Sequence, residues 1–225
     1  MFHMSHWAAI AAGVIGSWLI FHYRRQWRSM TLYRWEQVCG FLLLAAEGGY
    51  HAWLVSNGFW SVDHALPLEL CSLSILLSAV LLLTGNRFLY DLVFFIGIAG
   101  ALQAVLTPVL SFGFPHFRYL HFFFVHLMII WTSLYFTWVK GYRPTLRALW
   151  RTMLVLNMLL PVVWLVNWMT DGNYMFLMRK PSSQSLLDWL GPHPWYMLSL
   201  EFVAAGMFFV LWLLFREKQP KGDAS

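Results

Sequence analysis

Apolar residues run along this chain in long blocks separated by short polar breaks. A helix rises about 1.5 Å per residue, so a block of about 20 apolar residues crosses a bilayer core. Seven blocks approach or reach that length: residues 5–22, 36–56, 66–84, 88–109, 118–139, 148–170 and 195–215. The pattern predicts an all-α membrane protein, a bundle of seven transmembrane helices forming one domain across residues 1–225. The first block is short and contains Gly13 and Gly16. Pro67, Pro108 and Pro161 predict kinks or helix ends. The longest connection, 171–194, is rich in turn formers and interfacial aromatics, with a short amphipathic stretch at Ser185–Leu190. It reads as an ordered cap over one end of the bundle. A polar tail, 216–225, ends the chain.

Composition agrees: 60% of residues are hydrophobic and 11% charged, where a soluble domain carries about 25% charged residues. The net charge of +5 would fit nucleic acid only if the basic residues made a patch, and they do not. Twelve of the 15 lie on one side of the predicted membrane: Arg24, Arg25, Arg28 and Arg34, then Arg87, then Lys140, Arg143, Arg147 and Arg151, then Arg216, Lys218 and Lys221. The other side has Arg118, Arg179 and Lys180. By the positive-inside rule the N-terminus is outside and the C-terminus cytoplasmic, which requires an odd number of spans. The predicted location is a bacterial plasma membrane, crossed several times, with lipids as partners and no nucleic acid. The start of the chain lacks a basic n-region and a small-residue cleavage site, so the first block is read as a permanent span. The two cysteines have no CxxC spacing and the histidines no HxxxH or HExxH pairing. No metal or other cofactor is expected.

Ionisable groups inside a span cost about 2.5–3.5 kcal/mol each on insertion scales. Here they gather at one depth. Counting from each outer helix end, Glu47, His51, Cys71, Gln103, His126, Asn167 and Glu201 lie about 5–13 Å down. Cys39 and Asn157 fall outside the layer, and the cytoplasmic halves read as mostly apolar. Glu47 and His51, four apart, share a helix face. Three stripes have helical spacing: Pro67, Cys71, Ser74 and Ser78; Gly100, Gln103 and Thr107; Tyr119, His126 and Ser133. Together they predict one polar cavity open to the outer face. Each feature has a plainer reading. A buried Cys is usually a small hydrophobe, a membrane His often bonds between helices, and small-residue stripes serve helix packing. It is the clustering at one depth that favours function.

Cys71 is the one strong nucleophile in the layer, and a thiol becomes reactive when a base takes its proton. His126, at similar depth on another span, is the candidate base. Glu201 or Glu69 would orient its second nitrogen, and Gln103, Asn167 or a backbone N–H would hold an oxyanion. His121 and His126 lie five apart, about 140° around the helix, and do not face one ligand. These parts suit acyl transfer through a thioester. Glu47, His51, Glu69, Thr107, Asn167, Asn173 and Tyr174 would contact substrate, with the headgroup near Arg179 and Lys180.

Several ordered stretches carry a family resemblance. They are Leu66-Pro-Leu-Glu-Leu-Cys71, Gly100-Ala-Leu-Gln103 through Pro108, Phe114-Pro-His-Phe-Arg118, Phe123-Phe-Val-His126, Gly172-Asn-Tyr-Met-Phe-Leu177 with Lys180-Pro181, Asp188-Trp-Leu-Gly-Pro192, Pro194-Trp195-Tyr196 and Glu201. Over about residues 40–205 the chain resembles the YwaF-like bacterial membrane proteins. That family is similar to the eukaryotic transmembrane protein 164, a phospholipid acyltransferase. The resemblance implies a Cys at the start of one span and a His on a later one, which fall on Cys71 and His126. The expected function is an intramembrane acyltransferase or acyl hydrolase acting on a phospholipid or lysophospholipid at the outer leaflet. The alternative is a transporter or receptor that binds a small polar molecule in the same cavity.

The charge split makes a direct prediction. Cysteines introduced at Ser183 and Ser225 will react from opposite faces of sealed membranes with an impermeant maleimide, Ser183→Cys from outside only. Labelling of both from outside contradicts the orientation.

Overall fold

The computed structural model describes residues 4–180 and 189–217. Among them every regular element is helical. Seven helices follow in order: α1 (Met4–Arg28), α2 (Tyr33–Ser56), α3 (Leu70–Thr84), α4 (Arg87–Leu106), α5 (Phe117–Trp138), α6 (Leu146–Thr170) and α7 (Trp195–Phe215). Six are long and apolar enough to cross a membrane; α3, with 15 residues, is shorter. The expected blocks are all present, with three informative differences. The first helix runs on to Arg28 because nothing between Tyr23 and Arg28 breaks it, and its last-turn arginines suit a helix C-terminus. Arg28 fastens that end by donating to the Trp138 carbonyl at 2.8 and 3.1 Å. The third helix begins at Leu70 instead of Leu66, since residues before Glu69 form a non-helical strap through Pro67. The fourth stops at Leu106, because a residue before proline avoids the helical region; Thr107 sits at φ −130°, ψ 66°. Pro161 is accommodated inside α6.

The core lies among α3, α4 and α5, where Leu81, Tyr90, Phe94, Phe95, Ile129 and Phe136 are fully enclosed. α1 packs on α5, α2 on α3, and α7 on α6. The outward faces of these flanking helices carry exposed large apolar groups such as Trp18, Phe41, Leu154 and Phe202, as lipid contact demands. Glycine permits the closest approaches. A Cβ on Gly13 would meet Leu127 at 2.8 Å and one on Gly16 would strike Trp131, so the two glycines that weaken the first block are where α5 lies against it. Within α4, residues Val93–Gly97 form a π-turn. Ser133 of α5 donates to the Val93 carbonyl there at 3.2 Å, and a Cβ on Gly97 would come within 2.7 Å of Ile129. Side-chain insertion of this kind is a recognised cause of such turns.

The cytoplasmic half is less apolar than the sequence pattern implies. Glu36 takes Lys140 Nζ at 2.6 Å and the Tyr135 hydroxyl at 2.5 Å, joining α2 to the end of α5. Asp91 pairs with Arg151, joining α4 to α6. Buried acids in this half are thus matched by cations that the positive-inside bias supplies.

Replacing Gly97 by Ala will force the α4–α5 contact apart and lower stability by about 1–3 kcal/mol. Gly100, one turn on, faces open space. Gly100→Ala will leave stability unchanged or slightly higher, by up to about 1 kcal/mol. Thermal midpoints of both variants in detergent check the contrast.

Candidate functional site

The outer half of the bundle is organised around the first turn of α3. Glu69 is its N-cap residue, in extended conformation, and makes no side-chain capping bond. Cys71, two residues on, therefore sits among free N–H groups at the positive end of a helix. Its side chain is half-buried. The strap leading into this turn is held by Tyr174 from the outer cap. The Tyr174 phenol donates to the Val62 carbonyl and accepts from the Leu66 N–H, both at 2.8 Å. Asn167 of α6 brackets the same residue, with its carbonyl oxygen accepting from Tyr174 N at 2.7 Å and its amide donating to Tyr174 O at 3.0 Å. Met175 N donates to Glu69 Oε2 at 3.2 Å from a left-handed backbone, φ 54°. A Cβ on Gly172 would sit 2.7 Å from the Asp63 carbonyl, so cap and strap touch backbone to backbone.

The cap is therefore ordered, as its turn formers imply, through residue 180. The amphipathic stretch from Ser185 falls on residues 181–188 and lies outside the described residues apart from Trp189 and Leu190. Four residues expected to touch substrate make hydrogen bonds within this architecture. Asn167 and Tyr174 are fully buried and spend their polar atoms inside the cap. Asn173 closes a loop on Met178 N, Arg179 N and Arg179 O. Glu69 accepts a cap N–H. Arg179 is exposed, while Lys180 lies over the Tyr196 ring, 5.6 Å from its centroid.

His126 stands on α5, which packs directly on α3. Its Nδ1 lies 2.7 Å from the Phe122 carbonyl one turn earlier. A carbonyl oxygen only accepts, so Nδ1 carries the proton and Nε2 keeps a lone pair. That Nε2 is buried and bonded to nothing. The sequence predicts a carboxylate behind this ring; a backbone carbonyl does the orienting instead. Glu201 is engaged elsewhere, accepting from Asn157 Nδ2 of α6 at 3.1 Å. Asn157, placed outside the polar layer by depth alone, is thus tied to a residue inside it.

A second polar group lies between α2, α3 and α5. Glu47 Oε1 is 3.7 Å from His51 Nε2, and Glu47 Oε2 is 3.9 Å from His121 Nε2. Ser72 of α3 stands beside the carboxylate. Tyr50 stacks on the His121 ring at 5.0 Å and carries the Arg118 guanidinium over its face at 4.1 Å. The helical spacing of Glu47 and His51 announces half of this cluster; His121, set aside by its angle to His126, completes it from the neighbouring helix.

The three predicted stripes do not line one cavity. Ser74 and Ser78 are enclosed in helix packing. Ser133 serves the π-turn. Gln103 and Thr107 are exposed, and the Thr107 hydroxyl donates to the Gln103 carbonyl at 2.9 Å. The outer cavity, about 550 Å³, is bordered by Ser5, His6, Pro108, Phe112, Tyr119 and Phe123, between the start of α1 and the loop before α5.

Tyr174→Phe removes both phenol bonds and keeps the ring. It will loosen the strap and raise the rate of maleimide reaction at Cys71 by about 3- to 10-fold, in line with the loss of about 1 kcal/mol of hydrogen bonding. Cys39, remote in sequence and on α2, serves as the internal standard; an equal rise at both thiols contradicts the local effect.

Comparison with known proteins adds one finding. No curated protein and no solved structure matches the chain. A family model does match, over residues 1–212, and by that match the chain belongs to the TMEM164 family.

Proposed function

We propose that this membrane protein is an acyltransferase or acyl hydrolase acting on a phospholipid or lysophospholipid at the outer leaflet, with Cys71 as nucleophile and His126 as base. The observation that carries the reading is the tautomer of His126. Its Nδ1 is held by the Phe122 carbonyl, and its buried Nε2 has an unused lone pair. That is the state a general base needs. Cys71 lies on the adjoining helix in a first turn whose N–H groups have no side-chain cap.

The chemistry follows from those parts. His126 Nε2 takes the thiol proton as Cys71 Sγ attacks the ester carbonyl. Negative charge on the carbonyl oxygen is held by first-turn N–H groups of α3. Collapse breaks the ester C–O bond, the glycerol oxygen takes the proton from His126, and a thioester remains on Cys71. An acceptor hydroxyl or water then attacks the thioester, giving its proton to His126. The thiolate leaves and is reprotonated. Arg179, exposed at the cap, is the cation available to a lipid phosphate. The transporter reading finds less support: below the outer half, Tyr90, Phe94, Phe95, Phe136 and Leu149 fill the bundle without exposure.

Purified protein in mixed-lipid vesicles, followed by lipid mass spectrometry, tests the reading. Wild type and Cys39→Ser will redistribute or release acyl chains. Cys71→Ser will be inactive, and His126→Gln will lose about 10²–10⁴-fold. Unchanged turnover in Cys71→Ser refutes the mechanism.

A further inference from the structure

The acyl-transfer reading leaves the Glu47 cluster unused, and this cluster is the most costly feature of the bundle. Glu47 is 5% exposed and His121 8%, both inside spans, and neither carboxylate oxygen nor either His121 nitrogen closes a hydrogen bond. An unpaired charge or amide-like group in such a place costs several kcal/mol. Polar neighbours surround Glu47 closely: the Ser72 hydroxyl faces it, and the two imidazoles stand at 3.7 and 3.9 Å. These separations are too long for hydrogen bonds. They are short enough that a single added proton turns either carboxylate–imidazole contact into a charge-assisted pair.

The cluster also has a way in. His51 retains 29% of its side-chain exposure where Glu47 keeps 7% and His121 5%. His51 is thus the accessible member, with Glu47 and His121 buried behind it and the carboxylate between the two imidazoles. Arg118 and Tyr50 close the outer side. His126 lies on the same helix five residues deeper, and Cys71 precedes Ser72 in α3. Chains of carboxylates and imidazoles inside spans are the usual hardware of proton uptake in membranes.

We propose that Glu47, His51 and His121 form a proton-binding site open to the outer aqueous phase, in which one proton is shared between the carboxylate and its two imidazoles. With the proton bound, Glu47 is paired to an imidazolium and α2 is drawn to α5; without it, the carboxylate stands unpaired beside Arg118 and Ser72. Because Ser72 belongs to the first turn of α3, the state of this site reaches the element that carries Cys71. The site does not depend on acyl transfer and would operate equally in a protein with another activity.

Imidazole ¹⁵N magnetic resonance of the full chain in lipid nanodiscs tests it, with His51 and His121 assigned from His51→Gln and His121→Gln. If the carboxylate shares a proton with them, Glu47→Gln will lower the proton affinity of at least one of the two by about three-fold or more, half a pH unit. Glu47→Asp will retain the coupling in the same direction. Should Glu47→Gln fail to fold, His51→Gln replaces it: losing one competitor for the shared proton must raise the affinity of His121 by the same factor. Smaller shifts in the variant used overturn the site. Since the readout is titration and not turnover, an inactive wild type would refute the acyl-transfer reading and leave this one standing or falling by itself.

Discussion

Hydrocarbon offers no hydrogen bonds, and the rest of this structure follows from how each polar group meets that condition. Backbone groups meet it by forming helices. Side chains meet it in two contrasting ways. At the cytoplasmic end, Glu36 and Asp91 are each met by a cation, Lys140 and Arg151, and Tyr135 adds a hydroxyl to the first pair. At the outer end, Glu47, His121 and His126 keep buried atoms without partners. A protein under selection for stability alone would treat both ends alike. The unpaired end is where ligands, protons or reacting groups can be accommodated.

Much of the fold is legible in the sequence because hydropathy reports it directly. Seven blocks become seven helices, and the one predicted at 195–215 has those bounds in the structure. Where the sequence misleads, the cause is a tertiary contact. The block from residue 66 reads as helix, yet Tyr174 takes the Leu66 N–H and the Val62 carbonyl, and α3 starts at Leu70. Gly13 and Gly16 look like weaknesses of a span until α5 is seen lying against them. The π-turn in α4 meets Ser133, forty residues away from Val93 in the chain, and nothing local to Val93–Gly97 announces it.

The polar residues of the outer half are legible in the sequence; their pairings are not. Depth along a helix is a one-dimensional measure: it gathers Glu47, His51, Cys71, His126, Asn167 and Glu201 into a layer but cannot assign partners within it. Rotation about each helix decides those. It sends Glu201 to Asn157, Asn167 into the cap, and His121 to Glu47. One layer therefore holds three different kinds of residue: structural, paired across flanking helices, and unpaired.

The orientation of His126 sharpens what a base in this environment requires. A carboxylate behind the imidazole would stabilise its protonated form but would itself have to be kept charged in a low dielectric, at a cost of several kcal/mol. A helix carbonyl one turn back fixes the same tautomer with a neutral, already buried group. Acyl transfer as proposed needs that tautomer, since the nitrogen left unprotonated is the one that would take the thiol proton. The unpaired carboxylate of this half stands apart from that ring, beside His51 and His121.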